Sequence, residues 1–67
     1  MNNLINTMLI TNYIKEHNLT IKEFCNNCNI SQNIYYKIMN NNNNFDANKL
    51  FNIAKALQIQ VYKLFIK

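Results

Sequence analysis

Neither glycine nor proline occurs anywhere in this 67-residue chain. Tight β-turns lean on those two residues, so their absence disfavours a hairpin-built β architecture and any glycine-rich phosphate loop. Arginine and tryptophan are missing as well. There is one histidine, His17, and only three carboxylates, Glu16, Glu23 and Asp46, spread along the chain. That is too little for an acid–base or nucleophilic constellation, so neither catalysis nor a cofactor is expected. A zinc site needs four ligands, and only His17 could join the Cys25-x-x-Cys28 pair. No apolar run approaches the roughly 18 residues of a membrane span, and the N-terminus lacks a basic region followed by an apolar core. No membrane partner and a cytoplasmic location are the expectation.

What remains is 49% hydrophobic and rich in asparagine, isoleucine and lysine. The length suits one domain, residues 1–67, and the long periodic segments argue for an all-α bundle. A domain this small buries roughly 60% of its unfolded surface, which leaves a thin stability margin. Seven lysines against three acids give a net charge of +4, which suits an anionic partner, most commonly nucleic acid.

The stretch 20–40 organises the chain. Thr20 and Glu23 have the spacing of a capping box. Ile21, Phe24, Cys25 and Cys28 follow at i, i+3, i+4 and i+7, the stripe of an amphipathic helix. Both thiols lie on that stripe, where free cysteine behaves as a small hydrophobe, so they read as core rather than metal or redox groups. Asn29 suits the left-handed conformation that ends a helix, and Ser31 is a good N-cap for the next one. That next helix turns Ile34, Tyr35 and Ile38 inward and Gln32, Asn33, Tyr36 and Lys37 outward. A polar, weakly basic outer face on the second of two such helices is what base-edge reading requires.

These residues resemble the lambda-repressor/Cro-like (Xre) helix-turn-helix family. Leu19, Thr20, Glu23, Phe24, Ile30, Ser31, Tyr35, Ile38 and Asn40 fall on its pattern, with Cys25 at the small position and Cys28 at the leucine position. Asn29 and Asn41 stand where glycines are usual. The likeness continues through 46–57 and on to Val61, Leu64 and Phe65, about residues 10–65 in all. Thr11 and Ile14 replace basic residues common on the first helix, Ile21 replaces a glutamine, and Met39 replaces a glutamate. The resemblance implies a compact five-helix domain: a first helix to about His17, the helix-turn-helix at helices 2 and 3, a fourth over about 47–57 capped by Asp46, and a short fifth over 61–67. Gln58 occupies a glycine C-cap position, so that helix end should be strained or differently shaped. Phe45 should pack on the core.

The resemblance further implies a DNA-binding transcriptional regulator, most naturally a repressor acting by occlusion. It would hold a palindromic operator in double-stranded DNA as a homodimer, and phage or other mobile-element origin would suit so small a member. Gln32, Asn33, Tyr36 and Lys37 are the expected base-reading residues. Carboxamides there can bond adenine bidentately, each pair giving roughly 1–3 kcal/mol of discrimination. Lys37 could read guanine or touch a phosphate; Tyr36 could meet sugar or a thymine methyl. Without arginine forks, an A·T-rich operator is expected. Thr20, Ser31, Asn40, Asn42 and Asn43 are the expected phosphate contacts, although the run 40–44 also reads as a low-complexity connection. Tyr62, Phe65 and Ile66 are more apolar than one short helix needs to hide, and they are the expected dimer surface. An alternative on the same fold is a protein-binding module, an antitoxin or antirepressor acting through that C-terminus.

Overall fold

The computed structural model describes residues 4–42 and 44–66. In chain order these form strand β1 (Leu4–Ile5) and helices α1 (Thr7–Glu16), α2 (Ile21–Cys28), α3 (Gln32–Met39) and α4 (Asn48–Leu57). A 3-10 turn (Val61–Leu64) and strand β2 (Phe65–Ile66) follow.

Local chemistry sets the helix starts. The Glu23 amide donates to Thr20 Oγ1 at 3.0 Å and the Thr20 amide to Glu23 Oε1 at 2.8 Å, so the capping box at α2 is complete. The Ile34 amide donates to Ser31 Oγ at 3.2 Å and starts α3. At α1, Asn6 supplies only its carbonyl, to the Leu9 amide, and makes no side-chain cap. α4 begins at Asn48, one residue later than the sequence suggests, and its N-cap position is held by Ala47, not by Asp46. Asp46 still closes the turn: its Oδ1 accepts the Asn48 amide at 2.9 Å.

The helix ends share one device. Asn18, Asn29, Asn41 and Gln58 have φ of 56°, 57°, 56° and 59°. In each case the left-handed residue's amide reaches back three positions and the next amide five. Asn29 bonds the Asn26 carbonyl and Ile30 that of Cys25; Gln58 bonds Lys55 and Ile59 bonds Ala54. This is the Schellman motif, closed without glycine at all four helices. Asparagine accepts the left-handed region because its short polar side chain can bond locally, whereas glutamine has no such excuse.

The core is one cluster: Ile5, Ile10, Phe24, Cys25, Cys28, Ile30, Tyr35, Ile38, Leu50, Ile53, Ala54 and Leu64. The expected inward stripes of α2, α3 and α4 supply most of it, with Ile21, Ile34 and Leu57 packed half-buried at its edge. Phe45 also packs there.

The C-terminus departs from the five-helix expectation. The described residues form four α-helices, and 61–66 make a single 3-10 turn and a strand instead of a fifth helix. β2 pairs antiparallel with β1, Ile5 opposite Phe65 and Leu4 opposite Ile66. Val61, Tyr62, Phe65 and Ile66 are β-branched or aromatic, types that fit a pleated surface, and so short a segment gains little from helix nucleation. The deciding partner is at the other end of the chain.

Candidate nucleic-acid interface

α2 and α3 meet across a turn whose every residue is committed. Asn29 reverses the chain, Ile30 is only 8% exposed and anchors the turn in the core, and Ser31 launches α3. The angle between the two helices therefore rests on buried contacts rather than on a loose loop.

On the outer side of α3, Gln32 and Asn33 are exposed at its first turn and Tyr36 is 49% exposed. Tyr35, one residue before, is buried beneath them. A series of edge-to-face rings runs outward from the core. Tyr13 meets Phe24 at 5.9 Å, Phe24 meets Tyr35 at 6.0 Å, and Tyr35 meets Tyr36 at 5.1 Å. The exposed Tyr36 ring thus leans on a buried neighbour and loses less freedom if it is used for contact.

Lys37 differs from the other three expected base readers. It is half-buried, and its Nζ donates to the Asn44 carbonyl at 3.2 Å. The ammonium thereby spans from α3 to the loop that follows it. Asn42 Oδ1 accepts the Asn44 amide at 3.0 Å, a local turn that keeps this loop compact.

Among the expected phosphate contacts, Thr20 and Ser31 are exposed, and each hydroxyl oxygen already accepts a helix amide. Each still has its O–H to donate. Asn40, the exposed C-cap of α3, and Asn42 sit beyond the other end of that helix. Asn43 lies outside the described residues. The carboxylate of Glu23 is held back against the start of α2 by the capping box.

The three expected dimer residues separate. Tyr62 is 67% and Ile66 47% exposed, whereas Phe65 is half-buried against the core. Leu4, 53% exposed and paired with Ile66, joins the exposed set. Nothing in the spacing of Leu4 and Ile5 could have revealed this, since it depends on a pairing across the whole chain. Asn41 and Asn44 read from the sequence as part of the asparagine run; here the Asn41 carboxamide accepts the Ile5 amide and the Asn44 carbonyl accepts Lys37 Nζ.

The cysteines sit in the core. Cys25 and Cys28 are each 2% exposed and free. Burial, and secondarily the nearby Cys25, pushes the Cys28 thiol up to about 11; burial raises Cys25 too. Such thiols stay protonated, whereas a metal ligand or redox nucleophile is a thiolate. Among the described residues no three His, Cys, Asp or Glu side chains come together as a metal site. No described helix is long and apolar enough to cross a membrane.

A helix-turn-helix family model matches residues 10–64. The chain belongs to the lambda-repressor/Cro-like helix-turn-helix family. It is accordingly a DNA-binding protein of the regulator type, from a family that binds DNA rather than one of enzymes. Searches of curated proteins and of solved structures found no match. The two-stranded ribbon of β1 and β2 falls outside the matched segment.

Proposed function

We propose that the protein is a transcriptional repressor, encoded by a prokaryote or a phage, that occupies a palindromic, A·T-leaning operator as a homodimer in the cytoplasm. α3 enters the major groove, where Gln32 and Asn33 bond base edges, Tyr36 packs on sugar or a thymine methyl, and Lys37 contributes charge beside them. Thr20, Ser31, Asn40, Asn42 and Asn43 hold phosphates on either side. The observation that carries this is the capped first turn of α3. Two exposed carboxamides stand there on a helix whose opposite face is locked into the core by Tyr35 and Ile38.

Two-fold pairing would place two such helices one DNA turn, about 34–36 Å, apart. Tyr62 and Ile66, joined by Leu4, form the exposed apolar surface for that pairing, and Phe65 supports it from beneath. Repression follows from occupancy, since every exposed group invoked here serves DNA or the second copy.

The test is selection from pooled random duplexes at two salt concentrations. A palindromic site should emerge, with log affinity falling against log salt by about 0.9 for each phosphate neutralised. Tyr62→Asp should shift the protein to monomer in sedimentation and weaken operator binding. Weak binding with no enriched sequence would overturn the proposal. The exposed Leu4, Tyr62 and Ile66 would then favour the protein-binding alternative, an antitoxin or antirepressor module.

A further inference from the structure

Alternate amides of an antiparallel strand face opposite edges. In β1 the Asn6 amide, just past the strand, turns toward β2 and donates to the Leu64 carbonyl at 2.6 Å. The Ile5 amide therefore faces the other way, on a residue that is 2% exposed. It donates to Asn41 Oδ1 at 2.6 Å, across a sequence separation of 36 residues.

Asn41 is also the left-handed residue that ends α3. Its amide bonds the Ile38 carbonyl at 3.0 Å, and the Asn42 amide bonds that of Lys37 at 2.8 Å. Beyond it the loop is tied back to α3 by the Lys37–Asn44 bond. One residue thus closes the recognition helix, opens the loop and grips the ribbon. The ribbon in turn carries Leu4 and Ile66, with Tyr62 just before it.

We propose that Asn41 is a positioning residue for DNA recognition: its carboxamide fixes the end of α3 to the ribbon, so that the ribbon sets where each recognition helix stands in the dimer. The proposal rests on the homodimeric DNA-binding function proposed above. Glycine would serve the left-handed turn at least as well as asparagine, but it has no acceptor for the Ile5 amide. The side chain is therefore the part of this residue that the turn does not need.

The consequence is discrimination of half-site spacing. Binding is measured by fluorescence anisotropy on the selected operator and on the same operator with one base pair inserted between half-sites. The wild type should prefer the native spacing. Asn41→Gly should lose about tenfold of that preference, within the usual range of coupling between sites, with an unchanged salt slope. Asn41→Asp keeps an acceptor oxygen and tolerates the left-handed turn, so it should keep the preference despite weaker overall binding. If Asn41→Gly weakens both operators by one common factor, the residue only stabilises the fold and the proposal is overturned. Loss of the preference in Asn41→Asp as complete as in Asn41→Gly overturns it too. Should Asn41→Gly fail to fold by circular dichroism, a synthetic chain with an ester in place of the Ile5 amide removes the donor instead, and it must show the same loss. A wild type without spacing preference would refute the ribbon-mediated dimer and this coupling together, whereas a preference that survives in Asn41→Gly refutes the coupling alone.

Discussion

Replacing Gln58 with glycine should stabilise this protein. Gln58 closes α4 at φ 59°, ψ 43°, where its Cβ crowds the following carbonyl. For an ordinary L-residue that conformation costs roughly 1–2 kcal/mol. Glycine avoids the clash but brings a more flexible unfolded chain, which offsets about 0.5–1 kcal/mol. The net gain is then up to about 1.5 kcal/mol, centred on about 0.75. For a domain of this size each kcal/mol moves the midpoint by about 4–8 °C, so at that centre Tm should rise by roughly 3–6 °C. The Gln58 side chain is exposed and accepts or donates no hydrogen bond among the described residues, so nothing else is lost. The backbone bonds of the motif, Gln58 to Lys55 at 3.1 Å and Ile59 to Ala54 at 3.0 Å, remain. Thermal melts followed at 222 nm are sufficient. Asn41→Gly supplies the contrast, since it relieves the same backbone geometry but strips the acceptor from the Ile5 amide. An unpaired buried donor costs about 1–3 kcal/mol, more than the relief at an asparagine, so this substitution should lower Tm. An unchanged or lower Tm for Gln58→Gly, or a rise for Asn41→Gly, would refute the reasoning.

Thr20→Ala removes the hydroxyl half of the capping box and should cost about 0.5–2 kcal/mol in chemical denaturation, whereas Thr20→Ser should cost much less. Gln32→Ala should leave Tm unaltered while reducing operator discrimination by roughly 5- to 150-fold, the equivalent of one bidentate pair, in competition binding against scrambled DNA. The Cys28 thiol, raised from 9.0 to about 11, is protonated in the folded chain over a range where the unfolded chain ionises. Its contribution is complete below pH 9 and is lost as pH rises toward 11, at up to about 1.4 kcal/mol per pH unit. Urea titrations should therefore show an alkaline decline, shallower in Cys28→Ala, and iodoacetamide at pH 8 should modify neither cysteine until the protein unfolds.

What the chain determined by itself is whatever depends on neighbours along it. The Thr20–Glu23 box, the Ser31 cap, the left-handed turn at Asn29 and the inward stripe from Phe24 to Cys28 are all made by residues within five positions of each other. Residue type and spacing therefore suffice to read them, and they place Gln32, Asn33 and Tyr36 on the outside of α3. Lys37 was legible only in part: its position on that face followed from periodicity, but its bond to Asn44 depends on how the loop folds back.

The tertiary structure decided the rest. Apolar residues at 61–66 are compatible with a helix or a strand, and only the arrival of Leu4 and Ile5 beside them, about the full length of the chain away, makes the strand. The same event buries the Ile5 amide and so gives the Asn41 carboxamide its partner. A hydrogen bond between groups that far apart leaves no periodic trace in sequence, because its energy is gained only after the core has brought both ends together.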